Sequence, residues 1–156
     1  MEKKAVFAGS FDPFTVGHES LVKRALPLFD NIIIAVGSNQ EKKQFFPVEK
    51  RMAMIRDVFE DDPKISIDKF TGLTIEFCKK VDAKYLLRGL RTAADFEFER
   101  AIAQLNKIMY PRIESVFLLA LPEHTPINST IVREIIRFKG DASKFLPKKI
   151  DLKKYL

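Results

Sequence analysis

The chain has 156 residues, 46% hydrophobic and 31% charged, with a formal net charge of +6. That is enough for one domain over residues 1–156 with its own core, and no apolar run approaches the roughly 20 residues that cross a bilayer. Cys78 is the single cysteine, which excludes an internal disulfide and reads as a small buried hydrophobe in a reducing cytoplasm. The opening Met1-Glu2-Lys3-Lys4 is expected to enter a strand rather than form a signal peptide. The excess positive charge suits either nucleic acid or a small phosphorylated substrate. Its distribution favours the second. The basic residues do not line one helix, and Lys42-Lys43, Arg88 and Arg91 lie beside glycines or strand ends. The aromatic-interleaved basic surface of a nucleic-acid binder is missing. Lys148-Lys149 and Lys153-Lys154 read as solvated surface.

In chain order, short apolar runs alternate with helical patterns. Ala5–Ala8 is the first expected strand. His18–Phe29 follows as a helix with Leu21, Val22, Ala25, Leu26 and Phe29 on one face, its end shortened or kinked by Pro27. Ile32–Val36 is the second strand, and Val48–Phe59 the next helix, with Pro47 at its start and Met52, Ile55 and Phe59 together. Ile65–Ile67 precedes a short helix over Leu73–Val81. Tyr85–Leu87 precedes a helix over Thr92–Ile108, where Thr92 and Asp95 have capping-box spacing. Ser115–Ala120 is the fifth strand. Ser129 is expected to cap Thr130–Phe138, Gly140 to end it, and a last short helix to lie around Ile150–Tyr155.

The strands are short, β-branched or aromatic, and mostly lack polar alternation, as strands buried on both faces do. Strand–helix alternation implies an α/β fold: a doubly wound five-stranded parallel sheet of Rossmann type. Ligands of such sheets bind at the carboxyl ends of the strands, near the switch point. The residues with chemistry should therefore follow strands. Gly9-Ser10, Gly37-Ser38-Asn39, Thr71-Gly72, Arg88-Gly89 and Pro122–Asn128 all do.

The first such segment is Gly9-Ser10-Phe11-Asp12-Pro13-Phe14-Thr15-Val16-Gly17-His18. A strand, a glycine-bounded polar turn and a helix start would aim backbone N–H groups, a helix dipole and an imidazole at one anion. The second is Arg88-Gly89-Leu90-Arg91-Thr92-Ala93-Ala94-Asp95-Phe96-Glu97-Phe98-Glu99. Its arginine forks suit bidentate phosphate contacts. Asp95 and Glu99 share a helical face, free to accept from sugar hydroxyls or to pair with the arginines. The third is Lys42-Lys43 before Phe45-Phe46 and the helix carrying Arg51. The fourth is Asn128-Ser129-Thr130-Ile131-Val132-Arg133, with His124 in the loop before it.

The first string resembles the signature of the nucleotidylyltransferase superfamily, related to the His-x-Gly-His motif of class I aminoacyl-tRNA synthetases. Thr15 stands where the first histidine of that motif would be, as in the phosphopantetheine adenylyltransferase branch. The string from Arg88 to Glu99 is similar to the more specific Arg-Gly-Leu-Arg…Asp-Phe-Glu-x-Glu signature of that branch. The fourth segment resembles its Ile-Ser-Ser-Thr/Ser-x-x-Arg element, with Asn128 in place of a serine. The likeness extends to Gly140-Asp141 and Phe145-Leu146-Pro147. Phe98 and Ala8 depart from a common tyrosine and a common proline.

The resemblance implies transfer of AMP from ATP to 4'-phosphopantetheine, giving dephospho-coenzyme A and pyrophosphate, in a cytoplasmic enzyme with Mg²⁺ and of hexameric assembly. It implies catalytic roles for His18, Lys42 and Arg91. Ser10, Phe11, Gly17, His18, Gly89, Arg91, Glu99, His124, Asn128, Ser129 and Thr130 would line the ATP site. Ser10, Lys42, Thr74 and Arg88 would hold the pantetheine substrate, and no side chain is assigned to the metal. His18 is expected to donate to the α-phosphate rather than act as base or nucleophile, because the attacking phosphate is already an anion. Ile102, Leu105 and Met109 form a stripe that serves equally as interface or core. Two other readings stand beside this one: a sister nucleotidylyltransferase with another phosphate acceptor, and a non-catalytic ATP-binding module. No nucleic-acid or membrane partner is expected.

Overall fold

The computed structural model describes residues 1–39 and 41–156. Five strands form one parallel sheet: β1 (Lys4–Gly9), β2 (Asn31–Gly37), β3 (Ile65–Phe70), β4 (Tyr85–Leu90) and β5 (Glu114–Leu119). Their order is β3-β2-β1-β4-β5. The chain winds outward from β1 to β3, then returns to place β4 on the other side of β1. The switch point therefore lies between the carboxyl ends of β1 and β4, where a crevice must open.

The helices are α1 (Val16–Ala25), α2 (Val48–Phe59), α3 (Thr74–Lys80), α4 (Ala93–Met109) and α5 (Ser129–Arg137). β1 shows how the sheet divides the core. Ala5 and Phe7 point into one apolar layer with residues of α1, α2 and α5, such as Val22, Ile55 and Val132. Val6 and Ala8 point into the other, with Ile75 and Cys78 of α3. Cys78 is buried, and desolvation raises its thiol pKa to about 11, so it stays a neutral apolar filler.

Several expected boundaries shift for physical reasons. α1 begins at Val16 because Thr15 caps it, and ends at Ala25, where Pro27 converts the next residues into a 3₁₀ turn over Leu26–Leu28. α2 spans the expected residues. The first turn of α4 is closed by the expected box, Thr92 with Asp95. Asn128, not Ser129, caps α5: its Oδ1 accepts from the Ile131 N–H, 2.9 Å. Around Ile150–Tyr155 only a 3₁₀ turn forms, over Leu152–Lys154. Burial on both faces holds for β1 and β2 but not for the sheet edges. In β3, Ile65 and Ile67 pack on the core while Ser66 and Asp68 face solvent, and β5 is half-exposed. These two strands have a neighbour on one side only and lie at the margin of the helical layers, which leaves them less covered than β1 and β2.

Candidate active site

The turn after β1 is held from every side. Phe11 adopts a left-handed φ of 48°, which costs energy in a residue with a Cβ. What the turn gains is a buried ring packed under Gly9. A Cβ on Gly9 would lie 3.0 Å from Phe11 Cε1. The Asp12 carbonyl accepts from Arg133 Nη1 at 2.8 Å, and the Pro13 carbonyl from the Ser129 hydroxyl at 2.9 Å. α5 is thereby fastened to the turn.

His18 occupies the first turn of α1 as part of a capping box. The Thr15 hydroxyl accepts from the His18 N–H, and His18 Nδ1 accepts from the Thr15 N–H at 3.0 Å. A backbone amide can only donate, so Nδ1 carries no proton and the neutral ring bears it on Nε2. The ring rests against Phe7, Phe11 and Phe14, with centroids 6.2, 5.0 and 5.2 Å away. Burial foremost, then Arg91 and Arg88, lower its pKa to about 4. At neutral pH His18 is an uncharged Nε2–H donor.

His18 lines a cavity of about 490 Å³. The first turns of three helices border it, with Gly17 and His18 from α1, Ala94 and Asp95 from α4, and Ser129 from α5. Three positive helix ends converging on one space make an anion site. Phe11, Gly89, Arg91, Glu99, His124 and Asn128 also border this space. Asn128 does so with its side-chain oxygen committed to capping, so it stands at the wall without offering that atom to a ligand. Thr130 lies outside the lining. The α5 helix begins one residue earlier than expected, and this turns the Thr130 hydroxyl to Arg133 Nη2, 3.1 Å away. His124 Nδ1 is buried and has no hydrogen-bond partner among the described residues.

A second cavity of about 800 Å³ lies on the other side of β1. It contains Lys42, Thr74, Ser10 and Arg88, the four residues expected to hold the second substrate. The two cavities share Ala8, Gly9, Ser10 and Arg88. Two ligands filling them would meet beside Ser10.

Arg88 stands at that junction. Its Nε and Nη2 donate to the two carboxylate oxygens of Glu99 at 3.0 and 2.7 Å, and its Nη1 to the Ala8 carbonyl at 2.8 Å. Of the two partners open to Glu99, the arginine is the one it meets within the chain; each carboxylate oxygen accepts one Arg88 N–H and keeps a further lone pair on the cavity wall. Asp95 likewise lies 3.4 Å from Arg91 Nε and accepts from the Arg91 and Thr92 amides. Arg88 keeps two of its five N–H groups for a ligand. Lys42 differs. It is exposed, and among the described residues no carboxylate pairs with it.

Three residues named within the motifs or beside them, but given no task there, belong to the site. Arg133 lines the first cavity, and Asp12 is buried with its carboxylate accepting from the Phe45 and Phe46 amides, both at 2.8 Å. Arg51 is fully buried in α2. A signal for Arg51 exists, since it is four residues before Ile55 and so on the apolar face of that helix.

Comparison with known proteins shows the family and the fold. The cytidylyltransferase-like family model matches residues 6–135. The chain is 49% identical to a phosphopantetheine adenylyltransferase of Flavobacterium psychrophilum, over 97% of this chain and 99% of that protein. It is 47% identical to that of Phocaeicola vulgatus, over 96% and 99%, and 46% identical to that of Leptospira biflexa, over 94% and 92%. A solved chain from Vibrio parahaemolyticus, described as a nicotinate-nucleotide adenylyltransferase, superposes with a TM-score of 0.69 over 96% of each chain. At 19% identity that likeness speaks for the fold alone.

Proposed function

The chain belongs to the cytidylyltransferase-like family, among its phosphopantetheine adenylyltransferases, and from that premise we propose how its two cavities divide the reaction. The activity is adenylyl transfer in coenzyme A biosynthesis. The 4'-phosphate of phosphopantetheine attacks the α-phosphorus of ATP, the bond to the β-phosphate breaks, and dephospho-coenzyme A and pyrophosphate form. ATP occupies the cavity of the three helix ends, and 4'-phosphopantetheine the cavity of Lys42 and Thr74. The observation that carries this division is that the cavities meet at Ser10 and Arg88, beside the His18 ring.

Each residue then has a task that follows from its surroundings. The acceptor phosphate is already an anion, so the site needs placement and charge stabilisation rather than a strong base. Neutral His18 donates from Nε2 to the α-phosphate as charge builds there. A pKa of about 4 makes it a poor proton acceptor for this step and a steady donor. Arg88 and Lys42 hold the acceptor phosphate with Ser10. Arg91 and the α5 helix start hold the β- and γ-phosphates. Thr74, at the first position of α3, contacts the pantetheine arm through its backbone.

Mg²⁺ enters with ATP, as part of the substrate, with phosphate oxygens and water as its ligands. The three carboxylates of the ATP cavity are engaged elsewhere: Asp12 by two amides, Asp95 by Arg91, Glu99 by Arg88. Among the described residues there is no cluster of three His, Cys, Asp or Glu side chains.

The protein works in the cytoplasm as a homohexamer. None of the described helices is long and apolar enough to cross a membrane. α4 supports assembly: Phe98, Ile102, Leu105, Ile108 and Met109 are exposed on it, while only Glu99 and Asn106 are buried. An apolar face of that kind marks an interface. Sedimentation reads the mass directly, and a monomer would refute this part.

Pyrophosphate release from ATP with 4'-phosphopantetheine tests the activity. Release that requires this acceptor is expected. Release with nicotinate or nicotinamide mononucleotide instead would assign the chain to a sister enzyme.

A further inference from the structure

We propose that Arg51 is a positioning residue: it seats the loop bearing Lys42 on the Gly9–Ser10 turn and so fixes the acceptor phosphate relative to His18. The inference rests on reading the second cavity as the acceptor site.

Arg51 lies in the first turns of α2 at 0% exposure. A buried guanidinium must satisfy its donors, and the partners it uses show what it joins. Nε donates to the Phe46 carbonyl at 2.9 Å. Nη1 donates to the Ser10 carbonyl at 2.6 Å and the Gly37 carbonyl at 2.9 Å. Nη2 donates to Gln44 Oε1. The partners thus belong to three segments: the turn after β1, the end of β2, and the far limb of the loop between β2 and α2. All four acceptors are uncharged, and three are main-chain carbonyls. The planar fork is used for geometry, as only arginine allows.

Asp12 completes the clasp from the opposite side. Its carboxylate accepts from the Phe45 and Phe46 amides. The loop is therefore bolted at Gln44–Phe46 by a cation and an anion, while Asn39 and Glu41–Lys43 stay exposed beyond the bolt. Lys42 is two residues from Gln44. The other arm of the same guanidinium grips Ser10, one of the residues common to both cavities. One side chain thereby spans the interval between the acceptor cation and the junction of the two substrates.

The test is a double-mutant cycle on the full-length protein, measuring kinetic constants for both substrates and the melting temperature. Arg51→Lys keeps the charge and loses the fork. Gln44→Ala removes one partner outside the core and serves if the arginine variant folds poorly. In the wild-type background, Arg51→Lys is expected to lower kcat/KM for the pantetheine substrate by about thirtyfold or more, and Gln44→Ala by about three- to tenfold, with ATP affinity held within threefold. In a Lys42→Ala background both changes should lose most of this effect, because the group they position is gone. A structural role would instead give equal losses for both substrates that add independently of Lys42, and that result overturns the proposal. If Lys42→Ala itself leaves the acceptor constants unchanged, it is the acceptor-site reading that has failed, and the proposal with it. If Lys42→Ala weakens the acceptor while Arg51→Lys and Gln44→Ala change nothing, the clasp alone is refuted.

Discussion

The turn after β1 and the loop after β2 bring His18 and Lys42 to one junction, yet they are built in opposite ways. In the turn, the carbonyls of Ser10, Asp12 and Pro13 each accept from a side chain, and Thr15 and His18 cap each other. His18 has one ring nitrogen committed and one free. The loop carries Lys42 exposed on a local turn, with its amide on the Asn39 carbonyl at 3.2 Å, and among the described residues its anchors to the rest of the fold lie at its two ends, Ser38 and Gln44–Phe46. The difference matches the work. A donor to a developing charge must be in place beforehand, since reorganisation would cost rate. A cation that captures a substrate arriving from solvent can keep a hydrated tip, provided the base of its loop is fixed.

Removing each group should separate the two behaviours. The largest effect is expected for His18→Ala. Turnover should fall by about 10²–10³-fold, the loss typical of one transition-state donor, while ATP affinity measured by calorimetry stays near wild type. A turnover within a few-fold of wild type would show that the rigid turn serves packing alone. Lys42→Ala should act on binding. Losing a charge-assisted hydrogen bond worth about 1.5–3 kcal/mol weakens apparent binding of the pantetheine substrate, read as a rise in its KM, by roughly ten- to hundredfold, with ATP little affected. A larger effect on ATP would mean that the two cavities have been assigned the wrong way round. The smallest effect is expected for Glu99→Gln, read in the melting temperature. Arg88 would keep an uncharged acceptor and lose its counter-charge. The side chains of this pair are 32% and 11% exposed, so the loss should be about 1–2 kcal/mol, below that of a fully buried pair. Unchanged stability would show that Arg88 is held by the Ala8 carbonyl alone.

Much of the rigid half is legible in the sequence, and less of the clasp behind the loop. A strand followed by Gly9-Ser10 and then Gly17-His18 specifies a phosphate site through local chemistry. The placing of Lys42 and Thr74 after β2 and β3 follows from the parallel fold, whereas Arg88, expected just past its strand, lies within β4, which runs on to Leu90. Residues distant in sequence are harder. Arg88 and Glu99 are eleven apart and meet only because α4 folds back over β4. Asp12 meets Phe45 and Phe46 across 33 and 34 positions, which local periodicity does not report. The α5 cap slips by one residue because Asn128, Ser129 and Thr130 can each cap a helix, and only the packing of α5 on Pro13 selects Asn128. The stripe on α4 shows the limit of periodicity: it marks an apolar face without saying whether the sheet or another molecule covers it.

The central claim is that His18 is a neutral donor whose tautomer Thr15 fixes. Nitrogen-15 NMR of the histidine-labelled free protein tests this most directly, with His124→Asn assigning the two rings. Because burial disfavours the charged ring, the folded protein should protonate His18 only at about pH 4, while the unfolded chain does so near 6.5. The stability that His18 contributes is then complete above pH 6.5 and declines as the pH falls towards 4, where the unfolded state binds more protons. At pH 7 the account predicts shifts of a neutral ring protonated at Nε2, unchanged down to about pH 5.5. A ring protonated at Nδ1, or an imidazolium forming with a midpoint near 6.5, would contradict it.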